Sequence, residues 1–229
     1  MTELSLPQAL LLLALDDEKG TKLAKDKLGY GLAAAVLSEL ALIGRVHLEV
    51  VPRSLGPLRR DDQKVRLISA APTDLPSCDM VLERIAAEQV RSPKAWVERL
   101  NKKLADVVAG ELVDRGVVRH ERVQLLGMFP SDRYPEADPA PERQLREALD
   151  AVVRSGATPT ERVACLAVLA DAAGVLDRAV PHLDRRARKA RLEELREGQW
   201  AGEAAKAAIQ AAATAAAAAA AITVSVTSS

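Results

Sequence analysis

Twice in this chain a helical run closes on the same signal. "ELALIGRVHLEV" (Glu39 to Val50) and "ELVDRGVVRHERV" (Glu111 to Val123) both begin Glu-Leu and place a glycine five residues after the glutamate. Valine follows within two residues of that glycine in each. A glycine at such a point supplies the left-handed conformation that terminates many helices. The alternating apolar residues beyond it, Val46, Leu48 and Val50 in the first copy, read as a strand. A chain with two helix–glycine–strand units must fold with helices and short strands interleaved.

The remaining pattern is dominated by helices. Leu4 to Leu15 reads as a buried first helix, with Ser5 and Pro7 suited to its N-terminus. "DDEKGTKLAKDKLGYG" reads as a charged connection. Leu32, Val36, Leu40 and Ile43 recur at helical spacing in the next segment. "RVHLEVV" and "KVRLISA" pair as strands across a turn, "RSLGPLRRDDQ". Helices are expected at 77–90 and 94–115. "VVRHERVQLLGMF" makes a short hairpin, and the proline-rich "PSDRYPEADPAP" makes an exposed loop. Further helices are expected at 142–154, 159–172, 174–195 and 200–222. The expected fold class is mainly α: one helical domain, 1–229, with a few short antiparallel strands and a protruding hydrophobic β-hairpin.

Residues 206–229 form an Ala-rich terminal helix and tail. Ala207 to Val226 is twenty residues without a charge, so a membrane span has to be weighed. Alanine contributes little transfer free energy and Gln210, Thr214, Thr223 and Ser225 are polar, which favours a terminal core helix over a span.

Composition narrows function. Lys+Arg and Asp+Glu number 32 each and aromatics are 2% of the chain. A dedicated nucleic-acid reader would carry basic excess and rings for stacking, so no nucleic-acid partner is expected. The helix–cap–hairpin end also has the outline of a winged-helix reader. Its helices, however, are apolar, and Glu39 and Glu111 would repel phosphate. Cys78 and Cys165 are far apart and outside any C-x-x-C, and read as small buried residues in a reducing compartment. The apolar N-terminal run has no basic segment before it, so the chain reads as cytoplasmic.

No catalytic constellation is found. His47, His120 and His182 lack metal-ligand neighbours, and H-E-x-x-H, G-x-S-x-G and phosphate-loop patterns are absent. The expectation is no enzyme, no metal and no cofactor. Two features remain. Basic residues cluster at Lys22, Lys25 and Lys27, at Lys102 and Lys103, and at Arg185, Arg186, Arg188, Lys189 and Arg191. Leu125, Leu126, Met128 and Phe129, the last the only phenylalanine, sit at a hairpin tip. Such a tip either folds back on the core or forms an apolar prong for a bilayer or a partner chain.

Taken in order, "LPQALLLLALDDEKG", "GLAAAVLSELALIGRVHLE", "SAAPT", "AWVERL" with Trp96, "ELVDRGVV" and "ACLAVLADAAGVLDRAV" resemble the Golgi phosphoprotein 3 family over about residues 4–200. The resemblance implies a single, largely helical domain without enzymatic activity. It implies a peripheral membrane adaptor, whose eukaryotic members bind phosphatidylinositol 4-phosphate in a shallow basic pocket beside a hydrophobic hairpin. The pocket positions fall at about Ala24, Ala33, Lys102 and Ala105, and of these Lys102 alone keeps a positive charge. Lys22, Lys25 and Lys103 lie where a basic surface can be rebuilt, and Leu125, Leu126, Met128 and Phe129 align with the apolar tip. The Ala/Arg/Val-rich composition is that of a GC-rich bacterial genome. The expected partner is therefore an anionic membrane lipid, phosphoinositide-like by resemblance, at the cytoplasmic face of a membrane. The alternative is a soluble homo-oligomeric scaffold, or partner-binding protein, with no lipid role.

Overall fold

The computed structural model describes residues 3–16, 20–22, 25–55, 58–100, 103–125, 129–197, 208–210 and 213. The chain is mainly α, and among the described residues there are two antiparallel sheets of two strands each. The central element is α2 (Lys25–Leu42), which packs against α1 (Leu6–Leu13), α3 (Pro76–Ala87), α4 (Pro93–Leu100), α5 (Leu104–Asp114) and α7 (Glu161–Ala173). Every residue from Gly31 to Ala41 is buried, the pattern of a helix apolar all round and enclosed by others. Gly31 permits part of that closeness, because a Cβ there would lie 3.1 Å from the Ala173 Cβ on α7. All eight residues of α1 are buried as well.

The two echoed units close in the same way. Gly44 and Gly116 have φ of +70° and +69°. Arg45 N donates to Leu40 O at 2.8 Å, and Val117 N to Leu112 O at 3.0 Å, which satisfies carbonyls the helix ends leave open. The strand β1 (Val46–Leu55) then pairs with β2 (Leu58–Leu67), with Val46 opposite Leu67 and Leu48 opposite Val65. Val46 and Val65 are buried, Leu48 partly so, and Val50 is exposed. After the second glycine, Val118 bridges to Glu136, and β3 (Glu121–Leu125) pairs with β4 (Phe129–Arg133).

The glutamates of the echo have a role that reading them as phosphate-repelling charges misses. Glu39 and Glu111 are buried, at 3% and 5% exposure. Glu39 Oε2 accepts from Leu6 N at 2.8 Å, at the first residue of α1. Glu111 Oε1 accepts from Ser77 N at 2.7 Å, in the first turn of α3, and Oε2 accepts from Gln8 Nε2 at 3.1 Å. Each carboxylate therefore satisfies a helix N-terminus on a different element, where an orphan N–H and the positive end of the helix dipole both favour it. Arg162 completes the first site, donating to Glu39 at 2.5 and 3.0 Å.

Several boundaries differ from expectation. The segment read as a charged connection becomes helix from Lys25, because its glycines are tolerated where α2 meets α7. The turn expected at 53–63 is mostly strand, since the β1–β2 ladder continues through residues whose alternation is broken by Pro52 and charge. The helix expected at 94–115 is two, broken where Lys103 takes φ +70°. The one expected at 174–195 is α8 (Leu176–Ala179) and α9 (Arg185–Glu197), parted at Pro181 and at His182, which has φ +59° and is not helical. Ile43 is exposed while Leu32, Val36 and Leu40 are buried, because it lies past the end of α2. Between β4 and α6 (Ala140–Val153) the expected proline-rich loop is shorter, its first residues belonging to β4. Most of 206–229 lies outside the described residues. Ala208–Gln210 is helical, and Ser38 Oγ donates to Ala208 O at 2.7 Å.

Candidate functional site

The base of the β3–β4 hairpin is where Lys22, one of the lysines singled out in the sequence, meets the hairpin. Beyond α1, a tight turn brings the chain back on itself. Asp16 N donates to Thr21 O, Gly20 N donates to Asp16 O, and Leu15 bridges to Lys22. This turn lies against the hairpin's return strand, with Tyr134 N donating to Gly20 O at 2.9 Å. Gly20 has φ +59°, and a Cβ on it would lie 2.3 Å from Pro135 N. Any side chain there would force the two segments apart.

Lys22 is thereby held between the hairpin and α5. Its Nζ is 2.5 Å from Asp106 Oδ1 and 5.3 Å from the centroid of the Tyr134 ring. Its side chain is only 22% exposed, so it is a partly enclosed cation paired with one carboxylate. Lys103 is exposed at the N-terminal end of α5, one turn from Asp106. Ala33 is fully buried in α2, and Ala105 partly buried in α5. Lys25 opens α2, and its side chain lies outside what is described, as do Ala24 and Lys102 entirely. Leu125 faces Phe129 as the last backbone pair of the hairpin, while Leu126 and Met128 fall outside the described residues.

A polar cluster stiffens the hairpin's base. His120 stacks on Tyr134, with centroids 5.3 Å apart and planes 18° apart, and its Nε2 lies 2.8 Å from Asp132 Oδ1. Arg122 Nε donates to the same oxygen at 3.2 Å. The hydrogen bonds from His120 and Arg122 hold the Asp132 carboxyl below its usual value. Burial pushes the Tyr134 phenol up, helped by the charges of Asp106 and Asp132. The sequence pointed to the lysines and the apolar tip but missed Tyr134, His120 and Asp132. The aromatic spacing His120–Tyr134 across a short hairpin was the signal available.

Among the described residues no group of three or more His, Cys, Asp or Glu could hold a metal ion. No described helix is long and apolar enough to cross a membrane. Both cysteines are free and buried.

A family model described as Golgi phosphoprotein 3 (GPP34) matches residues 6–212. Vacuolar protein sorting-associated protein 74 of Schizosaccharomyces pombe is 25% identical over 224 aligned residues, covering 84% of this chain and 66% of its own length. This chain thus spans a little under two thirds of that relative.

Proposed function

Since this chain belongs to the Golgi phosphoprotein 3 family, we propose that it is a peripheral membrane-binding adaptor that performs no catalysis. Its ligand is an anionic lipid surface. Lysines near the base of the β3–β4 hairpin attract head groups, and the tip at Leu125, Leu126, Met128 and Phe129 enters the bilayer. The reading takes residues 1–229 as one domain of the family. The observation that carries it is the convergence of separate segments at one place. The Lys22 turn, the start of α5 with Lys103 and the hairpin base meet through Asp106 and Tyr134.

The energetics suit reversible attachment. Each basic side chain near an acidic membrane contributes about 1 kcal/mol, falling off within a Debye length. Apolar tip burial adds about 25 cal/mol per Å² removed from water. Neither contribution alone holds a protein at a membrane for long, and the two together do. Ala33 and Ala105 stand where the family resemblance implies arginines, so the bidentate guanidinium recognition of that pocket has no residue there to make it. Lysine cannot replace that fork, so the proposed selectivity is for negative charge more than for one phosphoinositide.

The test is flotation with neutral vesicles, phosphatidylserine vesicles and vesicles doped with phosphatidylinositol 4-phosphate, at low and physiological salt. Binding to both anionic kinds, weakening with salt, is expected. Leu126→Asp with Phe129→Asp abolishes it without lowering the melting temperature, and Asp106→Asn strengthens it by releasing Lys22. No binding to any vesicle, or full binding by the tip variant, would overturn the reading. A change of oligomeric state in the tip variant without a lipid effect would favour a homo-oligomeric scaffold instead.

A further inference from the structure

We infer that the free edge of β1 is a strand-addition surface, and that its occupant is a segment of the same chain, Ile222 to Val226. The bonds of the β1–β2 hairpin show which backbone groups face outward. Ile68 N donates to Arg45 O at 2.8 Å, across the hairpin, while Val65 N turns away from β1 and donates to Arg91 O at 2.9 Å. Hydrogen-bonded and non-hydrogen-bonded pairs alternate along an antiparallel ladder. Leu48, opposite Val65, and Val50, opposite Gln63, therefore direct their N–H and C=O groups away from β2 as well. On the β2 side the segment at Arg91 answers the edge. On the β1 side neither Leu48 N nor Val50 N makes a backbone hydrogen bond outward among the described residues.

The same register sorts the side chains. Val46, Leu48 and Val50 share one face of the hairpin. Cover fails along that face: Val46 is 4% exposed, Leu48 is partly buried and Val50 is 55% exposed. An open apolar residue beside an unpaired edge is what an added strand covers. Main-chain bonds then hold the strand and alternate side chains set its register.

Two observations name the occupant. "ITVSV", Ile222 to Val226, alternates β-branched apolar residues with small polar ones, carries no charge, and repeats the alternation of Val46 to Val50. It is also tethered close by. Gln63 Nε2 donates to Gln210 Oε1 at 2.9 Å, which ties the chain, twelve residues before Ile222, to the residue opposite Val50. A third strand beyond β1 lies two strand spacings from Gln63, about 10 Å. Twelve residues span about 18 Å as helix and more when extended, so the segment reaches.

The tether also sets direction. A strand entering at Val50 runs toward Val46, antiparallel to β1. Ile222 then stands opposite Val50 and covers it, Val224 opposite Leu48 and Val226 opposite Val46. Thr223 falls beside Glu49 on the polar face. Two strands become three, the number at which a sheet with an apolar face gains independent stability.

The test uses the full chain, and because no membrane is present it does not depend on the lipid reading. Amide exchange at Leu48 and Val50 is expected to be slow. Val224→Pro removes the N–H that Leu48 O accepts and speeds both amides by about tenfold or more. Under mild oxidation Glu49→Cys with Thr223→Cys forms a disulfide within one chain, since the two face each other in a non-hydrogen-bonded pair with Cα atoms about 4.5 Å apart. His47→Cys with Thr223→Cys, two residues out of register, does not. The native cysteines are buried and stay out of the reaction. Fast exchange in the unaltered chain, exchange unmoved by Val224→Pro, or no preference between the two cysteine pairs overturns the proposal. A disulfide joining two chains overturns it as well, since the occupant is then a second copy.

Discussion

Replacing Glu39 with alanine tests whether the buried glutamates of the echoed units hold the fold together. The substitution removes three contacts at once. Leu6 N loses its acceptor at 2.8 Å, and Arg162 loses bonds at 2.5 and 3.0 Å. Leu6 is fully buried, so its stranded N–H costs about 1–3 kcal/mol. Breaking a buried ion pair from one side costs about 3–5 kcal/mol. Here that figure is reduced, because the Arg162 side chain is 25% exposed and its Nε keeps Glu3 at 3.5 Å. A net loss of about 3–4 kcal/mol follows. In urea, at a slope of about 3 kcal/mol/M, the midpoint falls by about 1 M with the slope unchanged. Arg162→Ala is the informative comparison. It leaves Glu39 bonded to Leu6 N at the positive end of α1, so it costs less than Glu39→Ala. Burial by itself would lower the Arg162 pKa, but the hydrogen bond and charge of Glu39, with the charge of Glu3, raise it. If Glu39→Ala costs under about 1 kcal/mol, or Arg162→Ala costs as much or more, the anchoring argument is wrong.

Gly20→Ala combines a positive φ with a clash against Pro135 N and should cost about 2–4 kcal/mol, together with vesicle binding. Gly44→Ala has the same kind of φ but open space, and about 1–2 kcal/mol is expected; equal losses by thermal melting would refute the contact argument. Burial is the main reason both thiols are raised, Cys165 to about 12, with the Glu39, Glu111 and Asp79 charges adding at Cys78. Neither should react with a disulfide reagent at pH 8 until the chain unfolds. An acid raised on folding loses its proton first in the unfolded chain, so stability should decline as pH climbs above the ordinary thiol value of 9.0. Asp132 is lowered, so its contribution is present above the ordinary 3.8 and is lost as pH falls through the lower folded value. Carboxyl NMR should show that midpoint rising in His120→Ala, and an unmoved midpoint would remove His120 as the cause.

Much of the fold was legible because local signals and tertiary structure agree. Glycine caps at Gly44 and Gly116 are read from chemistry that needs no neighbour, and they occur as expected. The buried stripe Leu32, Val36, Leu40 is likewise a local period. Misreadings gather where a distant element overrides the local signal. Lys25 to Gly31 reads as a loop by its charges and glycines, yet α7 makes a glycine in a helix useful at Gly31. The break at Lys103 runs the other way, since a lysine does not announce a positive φ, whereas Pro181 and His182 did mark the second break by residue type.

The glutamates show where local legibility ends and why. In sequence Glu39 and Glu111 are charges on apolar helices, and a charge there reads as a solvated or repelling group. Their partners, Leu6 and Ser77, lie 33 and 34 residues away and contribute only backbone N–H groups, which carry no sequence signature. The repeat itself was visible, and its near-equal offsets to the two helix starts are what the repeat encodes. The same limit governs the proposed lysine site. Lys22 was identifiable by type, but its pairing with Asp106, 84 residues on, decides how strongly it can meet a phosphate. A lysine so paired must exchange one carboxylate for a head group, so its net gain is the difference between two charge-assisted bonds and not the full strength of one. That is why Asp106→Asn, which removes the competitor and keeps the shape, should move vesicle affinity more than adding another surface lysine would.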